Sequence, residues 1–193
     1  MLDNLKKYRI ILASQSPRRR NLLKMLDVDF ETASVDVDES MDINMNPKDA
    51  SIFLAEKKAN AFSMISQLDN ELIITADTLV YLRNRILGKP ENFVDAFKTI
   101  SSLSGHWHTV VSGVCLMTKD LNTSFSVETE VHFKKLSEQE IRYYIENYQP
   151  YDKAGAYGIQ EWIGYIGIDC IRGSFYNVMG LPVQRLYEEL KKL

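Results

Sequence analysis

The sequence predicts an α/β protein built on a mixed β-sheet, and three observations support this class. Helical patterns alternate with short apolar strands along the first part of the chain, as in proteins whose strands are joined by helices. Two long β-patterns then follow each other directly, at 108–118 and 124–136, and intrude into this alternation. The 193 residues are 45% hydrophobic with a net charge of −3, which is typical of a chain that buries its own core. We expect a single domain over residues 1–193.

The first part of the chain alternates strands with helices. YRIILA is apolar and bounded by a serine-rich turn, and Ser16 and Pro17 then suit the N-cap and the first position of a helix. In chain order, the predicted elements are strand 8–13, a helix from Pro17, strand 29–37, a helix from Pro47 to about Leu68, and strand 71–76, which ends at Asp77-Thr78.

The second part of the chain is richer in β-patterns. Ser137 and Glu140 form a capping box, which marks the start of a helix. In chain order, we expect a hairpin that turns near Arg83-Asn84, a helix over 92–103 that stops at Gly105, the two long strands, a helix from Ser137 to near Asn147, and a last helix opened by Pro182. A glycine-rich, aromatic stretch at 151–182 lies before that last helix.

Charge and composition exclude several classes of function. A pI near 5.7 argues against nucleic acid held by bulk charge, although a basic block at 1–25 precedes an acidic block at 26–46. No secretory signal or membrane-length stretch is present, so we expect a cytoplasmic protein that binds neither membrane nor nucleic acid. Cys115 and Cys170 fit no zinc spacing and are expected to be buried free thiols.

The turn between the first strand and the first helix is a candidate phosphate site. Its sequence runs from Ser14 to Arg19 and reads SQSPRR, so two hydroxyls and two guanidinium groups lie at a helix N-terminus with unpaired backbone N–H groups. These donors suit phosphate oxygens. An ordinary N-cap followed by solvated arginines is the alternative, and the Walker signature does not occur.

A carboxylate follows the apolar strand 71–76, at the place where α/β sheets hold their ligands. This residue, Asp77, suits either the binding of Mg²⁺ or the acceptance of a proton from an attacking water. Thr78 beside it offers a hydroxyl for orientation. A helix cap or a turn residue is the alternative, and the β-pattern of the next segment argues against a cap.

Several other positions are weak candidates when each is taken alone. Lys89 of the GKP turn and Lys58 of the long helix each carry a charge that suits phosphate. Gln160 ends the stretch DKAGAYGIQ and has both a donor and an acceptor for the edge of a base, although a tight structural turn is the alternative. His106 and His108 have the spacing of metal ligands, but no third ligand is in reach by sequence.

A set of short segments spreads over most of the chain. In order, they are ILASQSPRRRNLL, the Asp77-Thr78 of TADTLV, GKP, the SG of HTVVSGV, YDKAGAYGIQ and GSFYNVMGLP. Together they resemble the signature blocks of the Maf-like nucleoside triphosphate pyrophosphatases, and the combination is specific. The resemblance implies an α/β fold related to inosine triphosphatases, with an elongated mixed sheet flanked by helices and a cleft between two lobes.

The resemblance also implies a reaction and its residues. The reaction is hydrolysis of a nucleoside triphosphate to the monophosphate and pyrophosphate, with Mg²⁺ or Mn²⁺ held by Glu39 or Asp77. By motif position, Asp77 corresponds to the family's proton acceptor. The specificity positions are Arg18, Thr78 and Gln160, and the phosphate-side positions are Ser14, Arg19, Lys58 and Lys89.

The motifs resemble the dTTP/UTP branch of the family and not the 7-methyl-GTP branch. Arg18, Thr78 and Gln160 are the residues that carry this likeness. The chain departs from the family pattern after Gln160, where Glu161-Trp162 stands instead of a small residue. Because closed two-fold dimers are the commonest homo-oligomers, we expect a homodimer.

Other functions stay open at this point. One is a pyrophosphatase for modified purine nucleotides such as 7-methyl-GTP, and another is a nucleotide-binding regulator of septum formation or cell division with little turnover. A nucleic-acid-binding module that uses Arg18–Arg20 and Lys24 is disfavoured by the net charge of −3.

Overall fold

The computed structural model describes residues 2–34, 36–42, 45–66, 69–83 and 85–193. In chain order, its elements are a 3-10 helix at Asp3–Lys7, β1 (Arg9–Ala13), α1 (Pro17–Lys24), β2 (Glu31–Ala33), α2 (Pro47–Ser63), β3 (Glu71–Leu82), β4 (Arg85–Ile86), α3 (Phe93–Leu103), β5 (Trp107–Met117), β6 (Asn122–Phe133), α4 (Glu138–Tyr148), 3-10 helices at Pro150–Asp152 and Ala154–Ala156, α5 (Trp162–Gly167), β7 (Ile168–Arg172), α6 (Phe175–Val178) and α7 (Val183–Leu190).

The strands form a mixed sheet. Over the described ranges, the strand order is β2-β1-β3-β5-β6-β7, and β4 pairs with β3 beside this path. β1 lies parallel to β2 and to β3, whereas β3 is antiparallel to β4 and β6 is antiparallel to β7. The predicted α/β class, with a mixed sheet flanked by helices, is therefore confirmed.

The chain divides into two compact units. The first unit comprises Met1–Asp77, Ser112–Val127 and Gly180–Leu193, and the second comprises Thr78–Val111 and Glu128–Met179. Along the sequence, one boundary between the units thus falls between Asp77 and Thr78 of the TADTLV motif. The expectation of one domain over the whole chain stays a prediction.

The core of the first unit fixes where α2 lies. Its buried side chains come from β1, α2, β3 and β5, and they are Ile11, Ala13, Ala55, Ala59, Phe62, Ile73, Cys115 and Met117. The α2 backbone comes so close to β5 that a Cβ on Gly113 would lie 2.2 Å from the carbonyl carbon of Ser51. Glycine is therefore required at position 113 of the SG motif, and this close contact fixes the position of α2 against β5.

The predicted helix starts at Pro17 and Pro47 of the first unit are confirmed. The side chain of Ser16 caps α1 by accepting a hydrogen bond from the backbone N–H of Arg19. The side chain of Asn46 caps α2 in the same way, through the N–H of Lys48. In each helix proline occupies the first turn, where its missing N–H costs no hydrogen bond.

Two elements of the first unit are shorter than predicted. α2 ends at Ser63, and the predicted end, Leu68, lies outside the described residues. Ile65, which the helical pattern placed on the apolar face, is 72% exposed, so burial does not stabilise a longer helix. β2 covers three residues of the predicted 29–37, of which position 35 is outside the described part, because it is a largely exposed edge strand.

β3 is longer than predicted, which changes the setting of Asp77. The strand does not end at Asp77-Thr78, because the residues that follow are also apolar and buried, and they continue to a pairing with β4. The parallel pairing with β1, however, ends at Ile74. Asp77 therefore lies inside a strand but beyond the part of it that β1 covers.

The second unit has its own core and contains the predicted hairpin. Leu82 pairs with Arg85 across the turn, whose residue 84 lies outside the described ranges. The capping box of Ser137 and Glu140 is present at the start of α4. The core side chains come mainly from α3, α4 and residues 156–163, and they are Leu82, Ala96, Ile100, Leu103, Phe133, Leu136, Ile141, Tyr144, Ile145, Ala156, Tyr157, Ile159 and Ile163.

The glycine-rich stretch contains elements that were not predicted. β7 pairs antiparallel with β6 at the edge of the sheet, and its sequence IDCIR lacks a long apolar run. Cys115 is a buried free thiol as predicted, but the prediction for Cys170 is wrong, since this free thiol is exposed on the edge strand. Among the helices of the described residues, none is long and apolar enough to cross a membrane.

Candidate active site

The N-terminus of α1 presents the polar groups that the sequence placed there. Ser14 follows β1, and its Oγ accepts a hydrogen bond from the N–H of Ser16 at 3.2 Å. Arg19 Nε donates to the carbonyl oxygen of Gly180 at 2.8 Å, which orients the guanidinium. Arg18, in the same turn, is partly buried. A loop that is distant in sequence thus fixes one of the two predicted arginines.

The ammonium group of Lys58 lies between two carboxylates. Its Nζ is 2.5 Å from Asp77 Oδ1 and 2.7 Å from Glu39 Oε1. The side chains of Lys58 and Asp77 are 14% and 11% exposed, whereas that of Glu39 is 48% exposed. The structure therefore brings together the predicted proton acceptor, a predicted phosphate-side lysine and a predicted metal ligand.

Arg19 is coupled electrostatically to the same cluster. Burial lowers the pKa of its guanidinium; the carboxylates of Asp77 and Glu39 oppose this effect, and the charge of Arg18 adds to it. An arginine side chain nevertheless keeps its charge in proteins. With Lys58, the cluster has three positive charges against two negative ones, a surplus that favours a polyanion.

The two carboxylates also fit a divalent cation. They present hard oxygen donors to one point, where they already hold a single positive charge. Within the described ranges, no group of three or more His, Cys, Asp and Glu side chains converges as a metal site. Mg²⁺ needs only one or two protein carboxylates when phosphate oxygens and water complete its shell, so Glu39 and Asp77 suffice.

The other three predicted residues belong to the second unit. Thr78 is partly buried on β3, and Lys89 is exposed after β4. Gln160 is the third residue of a four-residue turn, in which the N–H of Glu161 donates to the carbonyl oxygen of Gly158 at 3.0 Å. Its side-chain Oε1 is buried and has no hydrogen-bond partner among the described residues.

The unpaired oxygen of Gln160 is the kind of group that a ligand satisfies. A buried carbonyl without a hydrogen bond costs about 1–3 kcal/mol, and rotation of the side chain toward a donor relieves this cost. The amide nitrogen of the same carboxamide is a donor. Gln160 can therefore bind a donor and an acceptor that lie side by side, as on the edge of a nucleobase.

Three residues around this turn were not predicted. Tyr144 on α4 accepts a hydrogen bond from the N–H of Gly158 at 3.0 Å and donates one to the carboxylate of Glu161. Lys153 Nζ lies 3.2 Å from the same carboxylate, and its side chain is 9% exposed. Tyr144 lies on the apolar face of α4, and that position is the signal in the sequence that could have identified it. The burial of Lys153 and Glu161 has no local signature in the sequence.

Comparison with known proteins agrees with the motifs. The family model described as "Maf-like protein" matches residues 9–193. The chain is 56% identical over 192 residues to a protein of Parabacteroides distasonis and 53% identical over 194 residues to one of Bacteroides thetaiotaomicron. A relative from Porphyromonas gingivalis is 51% identical over 193 residues.

These matches extend from end to end. They cover 99–100% of this chain and 97–100% of the three relatives, each of which is named dTTP/UTP pyrophosphatase. Since both the family model and the relatives span nearly all of its length, the chain belongs to the Maf-like protein family.

Proposed function

We propose that this protein is a nucleoside triphosphate pyrophosphatase that hydrolyses dTTP and UTP to the nucleoside monophosphate and pyrophosphate. The three relatives, each named dTTP/UTP pyrophosphatase, support this reaction and these substrates. The structural observation that carries the proposal is the largely buried Asp77 carboxylate, which shares the Lys58 ammonium with Glu39 and is coupled to Arg19.

The positive groups of the first unit bind the triphosphate. The N–H groups at the start of α1, the Ser14 hydroxyl and the Arg19 guanidinium donate to phosphate oxygens. Phosphate oxygens also compete with the carboxylates for the ammonium of Lys58. Substrate binding therefore draws Lys58 away from Asp77 and leaves that carboxylate available to accept a proton. Lys89 of the second unit is a further phosphate ligand in this proposal.

Asp77 acts as the general base. Its carboxylate takes a proton from a water molecule, whose oxygen forms a bond to the α-phosphorus. The bond from that phosphorus to the bridging oxygen breaks, and pyrophosphate leaves with the electron pair. Mg²⁺ or Mn²⁺, when held by Glu39 and Asp77, supplies positive charge that offsets the charge of the phosphate oxygens.

Gln160 recognises the base. Its Oε1 accepts a hydrogen bond from the ring N3–H of uracil or thymine, and its amide nitrogen donates to a neighbouring carbonyl oxygen of the ring. Both bases share this edge, whereas cytosine has no N3–H, so its binding leaves polar groups unpaired. Arg18 and Thr78 are the other specificity residues in this proposal.

Pyrophosphate release from a panel of nucleotides tests the reaction. With Mg²⁺ or Mn²⁺, we expect turnover of dTTP and UTP to exceed that of CTP, GTP and 7-methyl-GTP. Asp77→Asn should lower kcat by about 10²–10⁴-fold with an unchanged circular dichroism spectrum, because the amide cannot take the proton. Asp29→Asn, which changes an exposed acid before β2, should keep full activity.

The same panel separates the alternatives. Turnover by Asp77→Asn at the wild-type rate would contradict the assignment of Asp77 as the general base. A preference for 7-methyl-GTP would favour the modified-purine alternative, and tight triphosphate binding with negligible turnover would favour a regulator.

Base recognition is tested separately through Gln160→Ala. We expect a higher KM for UTP and dTTP and a smaller ratio of UTP to CTP in kcat/KM, because the paired donor and acceptor are lost. An unchanged substrate profile would contradict the role of Gln160 and leave the reaction itself untouched.

A further inference from the structure

We infer that Tyr144, Glu161 and Lys153 form a positioning network that sets the place of Gln160, so that selection between bases depends on residues that do not touch the base. This inference rests on the proposed function of Gln160. It concerns Glu161, the residue that directly follows Gln160 in the chain.

A single hydroxyl holds both ends of the turn that carries Gln160. Tyr144 Oη accepts the N–H of Gly158, the first residue of the turn, at 3.0 Å. It donates to the carboxylate of Glu161, the fourth residue. The turn is closed by its own backbone hydrogen bond from Glu161 to Gly158 at 3.0 Å. Because burial strongly raises the pKa of Tyr144, the hydroxyl keeps the proton that it donates.

Lys153 holds the carboxylate of Glu161 from another side. Its Nζ is 3.2 Å from Glu161 Oε1 and 2.7 Å from Asp152 Oδ1. The carboxylate also packs directly on the backbone of the turn, since a Cβ on Gly158 would lie 2.7 Å from Glu161 Cδ. Glu161 is therefore a partly buried, fully engaged residue and not a solvated charge.

The residue before Gln160 is fixed as well. Ile159 is buried in the core of the second unit. Its carbonyl oxygen lies against α5, where a Cβ on Gly164 would approach it to 1.8 Å. Because Gly158, Ile159 and Glu161 are all fixed by these contacts, only the side-chain torsions of Gln160 remain free. If the network is disrupted, we therefore expect weaker and less selective binding of the base.

Tyr144→Phe tests the network because it removes the hydroxyl and keeps the ring, which stacks on Tyr148 at 5.2 Å between centroids. We expect the KM for UTP and dTTP to rise about tenfold and the preference for UTP over CTP to fall by a similar factor, with kcat changed less than about threefold. Tyr148→Phe, which removes a hydroxyl from the same helix, is the matched control and should behave as the wild type.

Variants of Glu161 provide a second route if Tyr144→Phe is poorly folded. Glu161→Ala should reproduce the rise in KM and the loss of preference. Glu161→Gln should recover most of the preference, because its carbonyl oxygen can still accept the hydrogen bond from Tyr144. Equal losses in the Ala and Gln variants would contradict a role for this hydrogen bond.

A double-mutant cycle separates positioning from general destabilisation. If Tyr144 acts through Gln160, Tyr144→Phe should not lower the UTP/CTP preference further in a Gln160→Ala background. Additive losses would overturn the inference. It would also be overturned if Gln160→Ala lowers the preference and neither Tyr144→Phe nor Glu161→Ala does, and the proposed function would then stand. If Gln160→Ala has no effect, the proposed role of Gln160 fails and the inference fails with it.

Discussion

The Lys58 ammonium group lies between the carboxylates of Asp77 and Glu39, where a metal ion would compete with it. In Lys58→Met, Asp77 and Glu39 lose their shared positive charge, and we expect the free energy of unfolding in the presence of chelator to fall by about 3 kcal/mol. Mn²⁺ should raise the melting temperature of this variant more than that of the wild type, because the ion no longer competes with an ammonium group.

Lys57→Met is the control for this measurement. Lys57 is the preceding residue on α2, and it pairs at 3.6 Å with Asp38, whose side chain is exposed. Its replacement should leave the Mn²⁺ response at the wild-type level. Equal responses of the wild type and Lys58→Met would show that the two carboxylates do not hold the ion.

His108 is a buried residue that makes folding stability depend on pH. Its Nε2 lies 2.7 Å from the hydroxyl of Tyr157, and its ring stacks on Phe133, so it is a core residue and not a metal ligand. Burial, assisted by the charge of His132, lowers the pKa of His108 from 6.5 to about 4. Between these two values the unfolded chain binds a proton that the folded chain does not.

The free energy of unfolding should therefore fall as the pH is lowered from 6.5 to about 4, by up to about 1.4 kcal/mol per pH unit from this residue. Urea unfolding at pH 7.5 and pH 5 measures the effect. His108→Gln should show a smaller loss than the wild type, whereas His106→Gln, which changes a partly buried neighbour, should not. The same pH dependence in all three proteins would contradict the assignment.

At the scale of elements, the approach of α2 to β5 depends on one glycine. A Cβ on Gly113 would overlap the backbone of Ser51, so Gly113→Ala must push α2 away from the sheet. We expect a loss of about 1–3 kcal/mol in stability, measured by denaturant unfolding, together with reduced activity, since α2 carries Lys58.

Gly88→Ala is the matched substitution for that experiment. A Cβ on Gly88 would meet no atom within 4 Å, so the stability of this variant should stay close to that of the wild type. Equal stability of the two variants would mean that α2 is not held by the close contact.

At the scale of the whole molecule, the two thiols differ in exposure, so their reactivity shows whether the protein is folded. Cys170 is exposed on β7, whereas Cys115 is buried in the core of the first unit, where burial raises the pKa of its thiol to about 11. A thiol reagent at pH 8 should react quickly with one equivalent in the native protein and with two after denaturation. Cys170→Ser should remove the fast reaction; two fast equivalents in the native wild type would contradict this burial.

At the scale of the whole chain, several helix starts could be predicted because their signals are local. Ser16 with Pro17, and Ser137 with Glu140, mark helix starts through contacts within one turn, and the structure has both. The length of β3 could not be predicted, because the strand continues past its pairing with β1, which ends at Ile74, to the residues that pair with β4. The expected homodimer and the cytoplasmic location stay predictions.

The candidate active site likewise has features that the sequence predicts and features that only the structure shows. Short motifs identified Asp77, Arg19 and Gln160 as candidates by residue type and position, because the chemistry of phosphate and base binding needs those groups. Motifs do not contain the partners of a residue. The ion pair of Lys58 and the hydrogen bonds of Tyr144 join residues that are distant in sequence.

The sequence by itself determined the class of fold, the starts of α1, α2 and α4, and the family, because these follow from periodicity, caps and short motifs along the chain. Only the tertiary structure decided that Lys58 lies between Asp77 and Glu39, and that Tyr144 holds the turn of Gln160. The physical reason is that burial and pairing of charged groups are set by packing between elements, which no local pattern records.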